Sequence, residues 1–140
     1  MRIFLSICFL FLLHSFFAQK TILIGKWELL RHKTTVGKDT NYNCAKFNSM
    51  YLTISAGNTY QLKILNARAT MTWIEAGKWE LNADSTKLTF YSIVATPVQP
   101  NKNYDDVTVD IVKIDKKELV FKEHMCTKDV LGISYYRRTR

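Results

Sequence analysis

Residues that break regular structure are scarce in this chain of 140 residues, which has two prolines and five glycines. That scarcity excludes a linker-rich or low-complexity polypeptide. Cysteine and histidine are also few, at three each. No CxxC occurs, and neither Cys44 nor Cys126 stands at metal-ligand spacing from His32 or His124, so neither a metal nor a cofactor is implied. There is no HExxH, no Gly-rich phosphate loop and no nucleophile motif. The acidic pair Asp105-Asp106 sits on a loop edge, where solvated carboxylates are usual. An enzyme is therefore not expected.

Acidic residues are the minority, 12 against 20 Lys and Arg, for a formal charge of +8. The basic residues are dispersed, often beside an acid, as in Lys26-Trp27-Glu28 and Lys78-Trp79-Glu80. Only the tail Arg137-Arg138-Thr139-Arg140 forms a run. A nucleic-acid-binding protein wants its basic residues gathered on one surface, so the pattern fits a solvated exterior and no nucleic-acid partner.

Residues 1–18 have a different character. Arg2 is followed by a nearly unbroken apolar run from Ile3 to Leu13, then His14, Ser15 and the small residue Ala18. This is the layout of a secretory signal peptide cut after Ala18. The run falls short of the roughly 20 residues that span a bilayer, so no stable membrane insertion is expected after cleavage. Residues 19–140 then form one domain, exported to the periplasm or beyond. Two cysteines remain there, Cys44 and Cys126, and an even count in an oxidising compartment points to a disulfide.

Helical periodicity is hard to find in this domain, whereas alternation is everywhere. Eight segments alternate: 26–33, 49–54, 59–65, 70–81, 87–93, 106–114, 118–124 and 133–138. Met50, Leu52 and Ile54 share one face, as do Tyr60, Leu62 and Ile64. In the fourth segment Met71, Trp73, Glu75, Trp79 and Leu81 are in phase, with Gly77 marking a bend or bulge on the same face. Tight turns at Ser55–Asn58, Asn82–Ser85 and Asp115–Lys117 alternate with longer connections. The pattern predicts an all-β, eight-stranded, antiparallel up-and-down barrel with the tight turns at one end and the longer loops rimming the other. Closure removes the two exposed edges of an open sheet and sets the eighth strand beside the first. The loops bearing Cys44 and Cys126 then share a rim. A Cys44–Cys126 bond would stabilise the fold by on the order of 4 kcal/mol in the chain-entropy estimate.

The segment Gly25-Lys26-Trp27 resembles the Gly-x-Trp that opens the first strand of lipocalins. Gly77-Lys78-Trp79-Glu80-Leu81 with Lys87-Leu88-Thr89-Phe90 is similar to the middle of bacterial lipocalin-like domains. So are Val109 to Phe121 and the ending Tyr135-Tyr136-Arg137-Arg138. The resemblance covers nearly the whole of residues 19–140. It implies that an arginine of the last strand covers Trp27 and seals the closed end, a meeting that the up-and-down topology also predicts. Arg138 is favoured over Arg137 for this structural role.

What such a barrel would do depends on its interior, which in an eight-stranded barrel is just wide enough to be filled or to admit one small ligand. The in-phase set Tyr60, Leu62, Met71, Trp73, Trp79 and Phe90 suits a cavity for a small apolar or amphipathic molecule, and equally suits a packed core. Glu75 and Arg31 share the phase of inward residues and would bind a polar group of a ligand, or each other. A bulge near Gly77 would instead turn Glu75 outward. A second function remains open, an interaction or inhibitor module gripping another exported protein through rim residues such as Tyr42, Phe47, Tyr104, Pro97 and Pro100.

Overall fold

The computed structural model describes residues 20–36, 47–66, 72–96, 106–124 and 131–140. The segment expected to be a signal peptide, Met71, and both Cys44 and Cys126 lie outside these. A helical turn over residues 20–23 leads into eight strands. They are β1 (Gly25–Val36), β2 (Phe47–Ile54), β3 (Thr59–Asn66), β4 (Thr72–Leu81), β5 (Lys87–Thr96), β6 (Val107–Ile114), β7 (Glu118–His124) and β8 (Leu131–Arg138). Each pairs antiparallel with the next, and β8 returns to β1 to close the barrel. Several strands outrun the alternating segments, β1 to Val36 and β5 to Thr96. Ladder bonds join backbone groups, so pairing continues where the side chains no longer alternate.

The three tight connections carry their own turn chemistry. Asn58 and Ser85 take positive φ, of 56° and 59°. Asn82 Oδ1 accepts from the Lys87 amide at 2.8 Å. Asp115 Oδ1 accepts from the amides of Lys117 and Glu118 at 2.7 and 2.8 Å, and these bonds hold its carboxyl down at about 2.

The closed end is built on Trp27. Its indole is fully buried and donates to the Leu23 carbonyl at 2.8 Å, docking the helical turn across the closed end of the barrel. Trp27 pairs with Arg138 across the closing ladder, and the Arg138 guanidinium lies over its ring at 4.6 Å. Arg138 also donates to the Ile22 carbonyl. Arg137 points outward instead and pairs with Glu28 at 3.0 Å on the surface. Gly25 explains its own place in Gly-Lys-Trp: a Cβ there would stand 3.1 Å from Arg138 Nη1, in the path of the guanidinium. Leu23, Ile54, Trp79, Leu88 and Leu119 complete this fully buried end.

Five register shifts shape the wall, and three of them skip a large apolar residue. The β1–β8 register skips Leu30, the β4–β5 register skips Ile93, and the β6–β7 register skips Val112. All three are exposed, which accounts for most of the large hydrophobic side chains found on the exterior. An extra residue places two consecutive side chains on one face and reverses the alternation beyond it. The bulge near Gly77 is thus on β5 rather than β4, whose register with β3 is unbroken from Thr59↔Lys78 to Leu65↔Thr72. Gly77 permits it, because a Cβ there would meet the Tyr91 carbonyl oxygen at 1.9 Å.

Three stability changes follow. Arg138→Ala should lower the unfolding free energy by about 1–2 kcal/mol through loss of the stacked cation. Arg137→Ala, at an exposed ion pair, should lose less than about 1 kcal/mol. Gly77→Ala should cost at least about 2 kcal/mol, since backbone must move to admit the methyl group. Urea denaturation of the three variants beside the parent chain measures each difference.

Candidate functional site

Above the packed end the barrel is hollow. A cavity of about 260 Å³ lies among the inward residues of β2 to β8. Four rings cross it edge to face in a continuous row. Tyr60 meets Phe90 at 4.8 Å between centroids, Phe90 meets Phe121 at 6.3 Å, and Phe121 meets Tyr136 at 5.6 Å. Leu52, Leu62, Val107 and Val109 complete the apolar lining. Tyr136 is anchored by its hydroxyl on Met50 Sδ at 3.5 Å. Burial pushes the Tyr60 and Tyr136 phenols well above the ordinary tyrosine value, so both are neutral hydroxyls at physiological pH.

Two carboxylates interrupt this lining, Glu75 on β4 and Glu123 on β7. Glu75 Oε1 accepts the Tyr60 hydroxyl at 2.7 Å. The hydroxyl of Ser92, on the neighbouring strand, is buried beside the Tyr60 phenol and meets no hydrogen-bond partner of full geometry among the described residues. Across the barrel, Glu123 Oε1 accepts from Ser134, whose Oγ also touches His32 Nδ1 at 2.7 Å. Ser134 has one proton to give, so when it donates to Glu123 the contact with His32 requires the Nδ1–H tautomer as donor. Burial raises the Glu123 pKa, with the Ser134 bond opposing, and burial lowers that of His32. This order of partners is not that of a nucleophile relay, in which the imidazole stands between hydroxyl and carboxylate to take the hydroxyl proton. Here the serine stands in the middle and is fully buried. Among the described residues no group of three His, Cys, Asp or Glu side chains could hold a metal ion.

The residues anticipated for a ligand divide. Tyr60, Leu62, Glu75 and Phe90 line the cavity. Trp79 shares their phase but belongs to the closed end, where its indole donates to the Ser55 carbonyl at 3.1 Å and Lys20 lies over its ring. Trp73 is half-buried on the same face of β4 and is not among the lining residues. Met71 lies outside the described residues, as do Tyr42, Tyr104 and both prolines of the rim. Arg31 requires correction. It is exposed on the outer wall and stacks over the Tyr135 ring at 4.3 Å, because the Leu30 bulge reverses the alternation of β1 and brings His32 inward in its place. Glu123 and Ser134 were not anticipated. Glu123 could have been found, since it continues the phase of Leu119 and Phe121, whereas Ser134 stands out only through its partners.

The lipocalin-like domain family matches residues 23–121, most of the chain. The chain belongs to that family. Among solved structures, a lipocalin-like protein from Bacteroides uniformis superposes with a TM-score of 0.57 at 15% identity, covering 84% of this chain and 99% of that one. A biogenic amine-binding protein superposes with a TM-score of 0.54 at 18% identity, covering 83% of this chain and 63% of that one. At such identities these likenesses establish the shared barrel. No curated protein matches significantly. Among the described residues of this lipocalin-like barrel, no helix is long and apolar enough to cross a membrane.

The buried polar trio gives the barrel a pH signature. Glu123, with its folded pKa raised, contributes stability that is present below the unfolded carboxylate pKa and is lost as pH rises through the folded value. His32, with its folded pKa lowered, acts oppositely: stability falls as pH drops from its unfolded value through its folded one. Glu123→Gln removes the first contribution alone, so its stability relative to the parent should grow from pH 5 to pH 8. Thermal denaturation across that range reads the divergence. Parallel curves would place Glu123 in water.

Proposed function

We propose that this chain is an exported binding protein that holds one small apolar or amphipathic molecule inside the lipocalin-like barrel. The observation that carries this reading is the hollow half of the barrel, walled by aromatic rings and crossed by inward carboxylates. A packed interior would have no use for either carboxylate, because a buried charge without a partner is costly in an apolar core. Glu123 and Val107, within one residue of their strand ends, lie toward the end opposite the tight turns, from which a ligand would enter. The volume sits just below the roughly 300–1,000 Å³ usual for drug-sized ligands, which suits a small occupant. A neighbour of the same fold is named for binding a small molecule, in keeping with this use of the barrel.

Export rests on the charged, apolar and small-residue layout of residues 1–18, with the periplasm or the medium as destination. In that compartment Cys44 and Cys126 form the disulfide that ties two rim loops together. Mass spectrometry of an unreduced digest should show the two cysteine peptides joined, and a mature chain beginning at Gln19.

Native mass spectrometry of the protein purified from its own host tests the central claim. A retained small molecule, lost on denaturation, is the expected result. Leu62→Trp should fill the cavity and weaken uptake of the neutral apolar dye N-phenyl-1-naphthylamine by about tenfold or more, while leaving the β-sheet circular dichroism unchanged. Equal uptake by parent and variant would remove the cavity as the site.

A further inference from the structure

The signs of the charges are sorted across the barrel wall. No Lys or Arg among the described residues lines the cavity, and both charged side chains that do are acidic, in a chain whose basic residues outnumber its acidic ones by 20 to 12. Among the described residues the ion pairs are Lys87–Asp110, Lys113–Asp115, Lys113–Glu118 and Arg137–Glu28, all on exposed surfaces. None involves Glu75 or Glu123. Arg31, the guanidinium nearest to an interior position on β1, is turned out by the bulge and occupied with Tyr135. His32 also faces inward, where burial disfavours its cationic form as it disfavours the anionic form of Glu123, so a cationic occupant is what would favour the charged carboxylate.

Each carboxylate accepts one hydrogen bond from a neutral hydroxyl, Tyr60 or Ser134, and keeps lone pairs to spare. A hydroxyl orients a carboxylate without neutralising it. What the described lining does not supply is a positive charge bearing several hydrogen-bond donors. The aromatic row supplies the remainder of such a site, because ring faces attract a cation and ring edges accept an apolar body. A divalent metal ion suits it poorly: calcium takes six or more oxygens and magnesium keeps its waters, and neither fits apolar walls.

We infer that the occupant of the cavity is a small organic cation, a protonated amine on a single-ring or short aliphatic body, with Glu75 and Glu123 recognising its ammonium group. This rests on the barrel being a ligand holder and adds the ligand's chemical class. Tyr60 and Ser134 act as positioning residues, holding one oxygen of each carboxylate and leaving the other toward the cavity.

Titration calorimetry of the full exported chain separates the possibilities. 2-Phenylethylamine at neutral pH should bind about tenfold or more tightly than its uncharged counterpart 2-phenylethanol, as expected for charge-assisted hydrogen bonds. 3-Phenylpropanoate, an anion of similar size, should not bind. Glu75→Gln and Glu123→Gln should each remove most of the preference for the amine over the alcohol, both affinities being measured on the same variant. Glu75→Gln alone suffices if the other variant does not fold. Equal affinity for amine and alcohol would overturn the cation assignment and leave ligand carriage standing. A preference for the amine that survives both substitutions would overturn the role of these carboxylates. Failure of every probe, the neutral dye included, would overturn the ligand reading together with this one.

Discussion

The ladder between β1 and β8 is the contact on which the rest depends. Without it the sheet has two free edges, and the inward faces of eight strands enclose nothing. The chain secures that ladder at its lower end by making Trp27 and Arg138 register partners and stacking one on the other. The helical turn over residues 20–23 then caps the indole through Leu23 and receives the guanidinium at Ile22. Residues more than a hundred positions apart are thereby joined around a single ring. The barrel closes where its first and last strands are most firmly packed.

From that seal the interior changes character along its axis. Large side chains from β1, β2, β4, β5 and β7 fill the lower half, where burial of each contributes roughly 1.5–3 kcal/mol. Higher up, the row from Tyr60 to Tyr136 marks the level at which packing stops. The barrel is therefore neither a solid core nor an open tube. Its stability resides in the sealed half, which frees the other half to carry groups that a core would reject. Glu75, Glu123 and the buried hydroxyls of Ser92 and Ser134 are such groups.

Strand number, direction, turn positions and closure could all be read from alternation and turn residues, since side-chain period and connection length are local properties of the chain. The Trp27–Arg138 meeting followed from the same topology. The interior was harder, for two separate reasons. Phase reports which face a residue occupies but not its depth, so Trp79 looked like Tyr60 although one sits in the seal and the other in the cavity. Bulges are set by contacts between strands distant in sequence, and nothing near Leu30 announces one. The reading of Arg31 accordingly inverted, and His32 faces inward in its place. Glu75 escaped because the bulge beside it lies on the partner strand, where the close approach of Tyr91 to Gly77 absorbs it.

The unpaired Leu30 also bears on how relatives of this chain would be recognised. One inserted position divides the first strand into two stretches whose hydrophobic patterns are out of step by a single residue. A relative that lacked the insertion would carry its interior polar group one place earlier, so a gapless comparison would set a water-facing guanidinium against a barrel-facing imidazole. Divergence measured that way would exaggerate the chemical distance between two barrels with the same lining. Superposed coordinates, in which the strand's length difference is visible as a kink, would restore the correspondence.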